Sequence, residues 1–318
     1  MQTRRLGNTE LDFTTIGLGT WAIGGGDWKF GWGPQDPGVA IDGLLAGLEL
    51  GINWIDTAPV YGDGASERLV GRALQQASRD DVLVATKCSR KVLPDGSVTG
   101  ILDAASVKDE CEQSLKRLGV EVIDLYQMHW PEPDPQIEEG WEAMIELKQA
   151  GKVRAIGVSN FVVAQMERLE MMHPVASLQP PYNMFQREAE TALFPHCAAH
   201  QMGIVCYSPL AKGLLTGAMT QARAAALDPS DHRSRDPRFA SPQLEANLQM
   251  VDRLQSLAES HSRSVGELAI AWTLRRPEVT SAIVGVRHRT QIEGTYAAAD
   301  WQLTAEDIAQ IEQILSAE

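Results

Sequence analysis

The chain has 318 residues, 44% of them hydrophobic, with a formal net charge of −14 and a pI near 5.0. That is enough apolar content for a sizeable core, and the acidic balance excludes a nucleic acid or an anionic membrane as the main partner. No apolar run approaches the roughly 20 residues needed to span a bilayer, and the four scattered cysteines, Cys88, Cys111, Cys197 and Cys206, form no CxxC or metal-like cluster.

In chain order, RRLGNTELDF (4–13) reads as a small hairpin turning at Gly7 and Asn8. The opening MQTRRLG carries charge with no apolar stretch behind it, so it is not a signal peptide. The expectation is a cytoplasmic protein whose reduced thiols are packing residues. TTIGLGT (14–20) is then a strand, VAIDGLLAGLELG (39–51) a helix stopped by Gly51, INWIDTA (52–58) a strand and SERLVGRALQQ (66–76) a helix. DVLVATK (81–87) is a strand followed by a helix in SVKDECEQSLKRLG (106–119). VIDLYQMHW (122–130), VRAIGVSN (153–160), VASLQPPYN (175–183) and GIVCYSPL (203–210) each hold a strand. The first three of these are followed by helices in 140–151, 161–172 and 188–201, and the fourth by a long polar loop from Ala211 to Pro242. Helices over 244–261 and 264–276 follow, the second with a capping box from Ser264 and Glu267. TSAIVGV (280–286) is the last strand, and TAEDIAQIEQIL (304–315) a final amphipathic helix.

Eight short strands, apolar through most of their length and each followed by helix, point to an α/β fold: a (β/α)8 TIM barrel. It is expected as a single domain over residues 1–318, with the N-terminal β-hairpin plugging the barrel bottom and extra helices at the C-terminal end.

Two patterns are misleading. GLGTWA (17–22) matches GxGxxA after a strand, but IGGGDWKFGWGP follows where a dinucleotide-binding helix would have to begin. His196 and His200 stand four apart on one helix, yet no third metal ligand is evident, so no metal site is expected.

Catalytic groups of such a barrel come from the C-terminal ends of its strands. The polar residues there are Asp56 with Tyr61 beyond it, Lys87, His129, Ser159 and Asn160, Gln179, and Tyr207 and Ser208. A carboxylate beside an ammonium is a buried ion pair, and an ammonium beside a phenol is expected to lower its pKa from about 10 towards the working pH. Such a phenol exchanges a proton with an alkoxide, and a neutral imidazole orients the carbonyl. The four side chains are equipment for interconverting a carbonyl and an alcohol, with the hydride coming from a cofactor.

In GLGTW, DTAPVYG with SERLVGRAL, VATK, DLYQMHWP, GVSNF, QPPYN, YSPLAKGLLTG and GVRHRTQIEGT, the sequence resembles the aldo-keto reductase superfamily over essentially its whole length. The resemblance implies that the family tetrad falls on Asp56, Tyr61, Lys87 and His129, with Tyr61 as general acid. It implies NADP(H) as cofactor, with NAD(H) as the alternative. Ser159, Asn160 and Gln179 would hold the nicotinamide amide and Tyr207 would stack on its ring. Thr20, Trp21 and Asp56 would flank the cofactor, while Ser208, Pro209, Leu210, Lys212 and Gly213 would line its pyrophosphate. The 211–242 loop, with Arg238, would fold over it. Many relatives have lysine where Gly285 aligns here, so Val286, Arg287, Gln291 and Thr295 become the adenosine-end contacts, with Arg287 the 2'-phosphate partner.

Trp21, Trp28, Trp32 and Trp130, with Tyr61 and His129, are the expected walls of the substrate pocket, and Trp54 is expected near the same end of the barrel, in a packing role. The implied partner is a small carbonyl or alcohol, with no nucleic acid or membrane, and the oligomeric state is open. A different reading is a cofactor-binding regulatory subunit resembling potassium-channel β subunits, which share fold and tetrad. A metal-dependent hydrolase on this barrel rests on analogy alone.

Overall fold

The computed structural model describes residues 1–26, 28–78 and 81–316. A hairpin of β1 (Thr3–Arg5) and β2 (Asp12–Thr14) precedes β3 (Ile16–Gly19), β4 (Trp54–Asp56) and β5 (Leu83–Cys88). A second small hairpin, β6 (Arg90–Val92) with β7 (Val98–Gly100), follows and was not expected from the sequence. Then come β8 (Ile123–Met128), β9 (Val153–Ser159), β10 (Ser177–Gln179), β11 (Gly203–Tyr207) and β12 (Val279–Gly285). Strands β3, β4, β5, β8, β9, β10, β11 and β12 pair in parallel, and β12 closes on β3, giving the (β/α)8 barrel.

The helices are α1 (Pro37–Glu49), α2 (Ala65–Gln76), α3 (Ala104–Leu118), α4 (Ile137–Gln149), α5 (Val163–Glu170), α6 (Leu193–Ala199), α7 (Gln221–Ala225), α8 (Gln243–Ser260), α9 (Val265–Leu274), α10 (Arg289–Glu293) and α11 (Ala305–Ser316). Their ends follow local chemistry. Asp36 caps α1 by accepting from the Val39 amide, ahead of Pro37. Gly119 ends α3 at φ +69°, and Ser264 with Glu267 forms the capping box of α9. His261, after α8, and Asp307 of α11 meet at 2.8 Å and tie the last helix to the barrel. No helix among the described residues is long and apolar enough to cross a membrane, and the four cysteines are buried and unpaired.

The hairpin closes the bottom of the barrel. Leu6, Leu11 and Phe13 are buried there with Trp54, whose ring stacks on Phe13 at 4.5 Å and whose Nε1 donates to the Thr14 carbonyl and Ser281 Oγ. This corrects the placing of Trp54 near the mouth. It is the first residue of β4, so it stands at the strand's N-terminal end, and it packs in the core as expected. Gly17 makes room for it: a Cβ at that position would lie 2.1 Å from the Trp54 ring.

Candidate active site

The opposite end of the barrel opens into a cavity of about 1480 Å3. Asp56 ends β4, and Thr20 braces it by donating from Oγ1 to the Asp56 carbonyl. The chain then turns tightly through Gly62, at φ +63°, where a Cβ would collide with the Gly24 carbonyl oxygen at 1.9 Å. Only glycine permits both that backbone conformation and that approach, and the turn swings Tyr61 over the barrel mouth.

Lys87, on β5, is fully buried. Its Nζ donates to both Asp56 oxygens, at 2.8 and 2.7 Å, and to the Thr57 carbonyl at 2.9 Å. Gln179 Nε2 donates to Asp56 Oδ1 at 2.9 Å. The Lys87 ammonium stands 5.3 Å from the Tyr61 ring centre. Burial lowers the Lys87 pKa, and Asp56 opposes that shift. Behind the pair lies Glu67, fully buried, accepting from Thr86 Oγ1 at 2.7 Å and Arg117 Nε at 2.5 Å.

The Tyr61 phenol is pushed well above its ordinary pKa by burial, with the Asp56 charge adding to the effect. The expected lowering by Lys87 does not occur. All three ammonium protons go to other oxygens, the charge is balanced by the carboxylate it touches, and burial dominates. His129 meets Tyr61 edge-on, with ring centres 5.7 Å apart. Burial, followed by Lys87, holds its pKa well below the usual value, so the ring is neutral. Its Nδ1 is buried without a hydrogen-bond partner among the described residues.

Polar side chains link the neighbouring strand ends. Tyr207 Oη donates to Asn160 Oδ1 at 2.9 Å, Asn160 Nδ2 donates to the His129 carbonyl at 2.9 Å, and Ser159 Oγ donates to the Gln179 carbonyl at 2.8 Å. Further along the cavity Ser208, Ala211 and Lys212 take positive φ, and Gly213 follows at +96°. The Ala211 and Gly213 amides close turns on the Ser208 and Leu210 carbonyls, and the run lines the cavity beside the Lys212 side chain.

The 211–242 segment lies over the cavity and lines it through Lys212, His232, Arg233 and Arg238. His232 donates its backbone N–H to the Gly31 carbonyl, Trp32 pairs with Asp231, and Arg235 reaches the Lys29 carbonyl. His232 stacks on Trp21 at 4.7 Å, and Arg233 covers Trp32 at 4.5 Å. On the far side Arg287 donates to the Trp32 and Pro34 carbonyls, both at 2.6 Å, and to Gln35 Oε1 at 2.8 Å. The segment and residues 28–35 thus form a strap across the cleft.

A family model described as the aldo/keto reductase family matches residues 15–316. The chain belongs to that family. It is 40% identical over 317 residues to the aldo-keto reductase YhdN of Bacillus subtilis, covering 99% of this chain and 94% of that protein. It is 33% identical over 325 residues to an NADH-specific methylglyoxal reductase of Escherichia coli, covering 98% of each. In three dimensions it matches a glycerol dehydrogenase from Gluconobacter oxydans with a TM-score of 0.89 and 38% identity, covering 99% of this chain and 95% of that one. Enzymes of this oxidoreductase family interconvert carbonyls and alcohols with nicotinamide cofactors.

As a family member, the chain gathers nearly all of its sequence-predicted site residues on one cavity. Thr20, Trp21, Trp28, Trp32, Asp56, Tyr61, His129, Trp130, Ser159, Asn160, Gln179, Tyr207, Ser208, Pro209, Leu210, Lys212, Gly213, Arg238, Gly285, Arg287, Gln291 and Thr295 line it. Lys87 stands behind the wall. Val286 is fully buried against α1, beside Gly43, and is not a lining residue. Trp130 is 38% exposed at the rim, under the Arg90 guanidinium.

Sequence reasoning missed Glu67, Arg233 and His232. The signal for Glu67 was its place at the start of the helix after Tyr61. It also missed a partner for the paired histidines on the far face of the barrel. Glu170 contacts His196 at 3.1 Å and His200 at 2.7 Å, so a third candidate ligand does exist.

Proposed function

We propose that this chain is an NADP(H)-dependent carbonyl reductase or alcohol dehydrogenase in which Tyr61 is the acid–base group. The observation that carries the reading is a buried, protonated phenol meeting a neutral imidazole with an unpartnered ring nitrogen, backed by the Lys87–Asp56 pair. A nicotinamide cofactor, when bound, would supply the hydride for reduction and accept it in oxidation.

Tyr61 gives its Oη proton to the substrate oxygen as that oxygen gains charge, and takes it back when an alcohol is oxidised. Its raised pKa keeps it in the acid form, which suits reduction. His129, neutral across the physiological range, donates a hydrogen bond that fixes the carbonyl. Lys87 lies 5.3 Å from the Tyr61 ring centre and is held in place by Asp56, which Gln179 fixes in turn. Ser159, Asn160, Gln179 and Tyr207 would hold the nicotinamide end. Ser208, Pro209, Leu210, Lys212 and Gly213, with Arg238, would hold the pyrophosphate.

Arg287 supports the phosphorylated cofactor. Its guanidinium bonds neutral oxygens only, among the described residues, and burial lowers its pKa. An incoming phosphate would compensate that charge bidentately. Tryptophan walls from Trp21, Trp28, Trp32 and Trp130 suit a small aldehyde, ketone or sugar.

The test is oxidation of NADPH and NADH with a panel of aldehydes, ketones and sugars, and the reverse reaction with polyols. Tyr61→Phe is expected to lose about 100- to 10,000-fold in turnover while cofactor still quenches tryptophan fluorescence. A variant with wild-type turnover removes Tyr61 from the role.

A further inference from the structure

We propose that Glu170, His196 and His200 form a binding site for a divalent transition-metal ion of the zinc class, on the face of the barrel opposite the catalytic cavity. The three residues belong to two segments that the fold brings together. Glu170 is the last residue of α5. His196 lies on α6, and His200 follows its last residue, one helical turn on, with its N–H bonded to the His196 carbonyl at 3.1 Å. That spacing stacks the two imidazoles, with ring centres 4.2 Å apart and planes 25° from parallel.

Each histidine turns a nitrogen to the same carboxylate. His196 Nε2 lies 3.1 Å from Glu170 Oε2, and His200 Nδ1 lies 2.7 Å from Oε1. All three donor atoms fall within 4.8 Å of one another. Around a tetrahedral ion with bonds of about 2.0–2.1 Å, ligand atoms stand roughly 3.3 Å apart. Drawing the donor atoms from within 4.8 Å of one another to that spacing would convert the hydrogen-bonded triad into a coordination shell. The ion would replace two N–H···O bonds by two N–metal bonds and one O–metal bond, each imidazole keeping one proton on its other ring nitrogen.

The donor set selects the metal class. Two imidazoles and one carboxylate suit zinc and its neighbours, whereas magnesium and calcium favour all-oxygen shells. His196 is buried, Glu170 is partly buried and His200 is exposed, with side-chain exposures of 8%, 17% and 42%. The ring nitrogens are thus positioned from within while the fourth position opens to water. None of the three lines the catalytic cavity. The ends of α5 and α6 lead into the starts of β10 and β11, at the bottom of the barrel. The ion would act as a brace between two helices and take no part in the reaction.

The experiment is calorimetric titration of the metal-stripped, untagged full chain with zinc chloride, alongside thermal unfolding with and without zinc. We expect one equivalent to bind, a rise in melting temperature on saturation, and no comparable binding of magnesium. Loss of an outer-shell partner alone weakens metal sites about 10- to 100-fold, so His200→Ala and Glu170→Gln should each weaken binding at least about tenfold. Carbonyl reductase turnover should be unchanged in both. His200 is exposed, so His200→Ala should fold, and Glu170→Gln keeps shape while removing charge. Absence of zinc binding to the wild-type chain overturns the proposal. So does binding that both variants retain, which would place the ion elsewhere, or binding lost equally in a His261→Ala control.

Discussion

Lys87 donates a hydrogen bond to each oxygen of Asp56, at 2.8 and 2.7 Å, and both residues are buried. Removing one partner leaves an uncompensated charge in the barrel mouth, which costs about 3–5 kcal/mol in comparable buried pairs. Lys87→Met should therefore lower the free energy of unfolding by about that amount and also abolish most turnover. The double variant Lys87→Met/Asp56→Leu should regain part of the stability and none of the activity. Urea denaturation of the three proteins separates the two effects. A single variant as stable as wild type would mean that the pair contributes little to folding.

The strap predicts a second outcome. Arg287 both clasps the 32–35 carbonyls and, in the proposed function, meets a 2'-phosphate. A hydrogen bond to a charged group contributes about 1.5–3 kcal/mol, so Arg287→Gln should raise the dissociation constant for NADPH by about tenfold or more. NADH should be affected much less. Fluorescence titration with each cofactor is the measurement. Equal weakening of both would assign Arg287 to the strap alone, and a wild-type preference for NADH would remove the 2'-phosphate contact altogether.

Packing at the barrel bottom predicts a third. A Cβ on Gly17 would lie 2.1 Å from Trp54, whose ring is pinned by Phe13, the Thr14 carbonyl and Ser281. Overpacking a filled core costs about 1–3 kcal/mol, so Gly17→Ala should lower the urea midpoint clearly. At Gly285 nothing lies within 4 Å of an added Cβ, so Gly285→Ala should unfold as the wild type does. If the two variants unfold alike, Trp54 has room to move.

The barrel was legible because parallel strands buried on both faces read as continuous apolar runs, and because Gly51, Gly119 and the Ser264–Glu267 box mark helix ends. Asp56, Lys87 and His129 were legible as polar residues at strand ends. Trp54 was misplaced because it lies only two residues before Asp56, yet at the N-terminal end of so short a strand its ring packs on the hairpin at the bottom. The β6–β7 hairpin was missed although Asp95 and Gly96 mark its turn, since its strands are three residues each and only half-buried. The phenol's pKa was misjudged because composition shows the ammonium but not where its three protons go. Glu170 and the histidines meet only through the packing of α5 against α6, which no local pattern encodes.

His232 predicts how the strap responds to acid. Its ring stacks on Trp21, its Nδ1 faces the Gly31 carbonyl, and burial, with Lys212 adding, lowers its pKa from 6.5 to about 4. Asp231 opposes the shift, while Arg233 reinforces it. Between those two pKa values the unfolded chain binds the proton and the folded chain does not, so stability falls as pH drops from about 6.5 towards 4. Below both values the group adds no further pH dependence. His232→Gln removes this contribution. The stability difference between wild type and His232→Gln should therefore be larger at pH 7.5 than at pH 5, read as urea midpoints at the two values. A difference that stays constant would mean an unshifted imidazole, and one that grows on acidification would mean a charged imidazole held in the folded strap by Asp231.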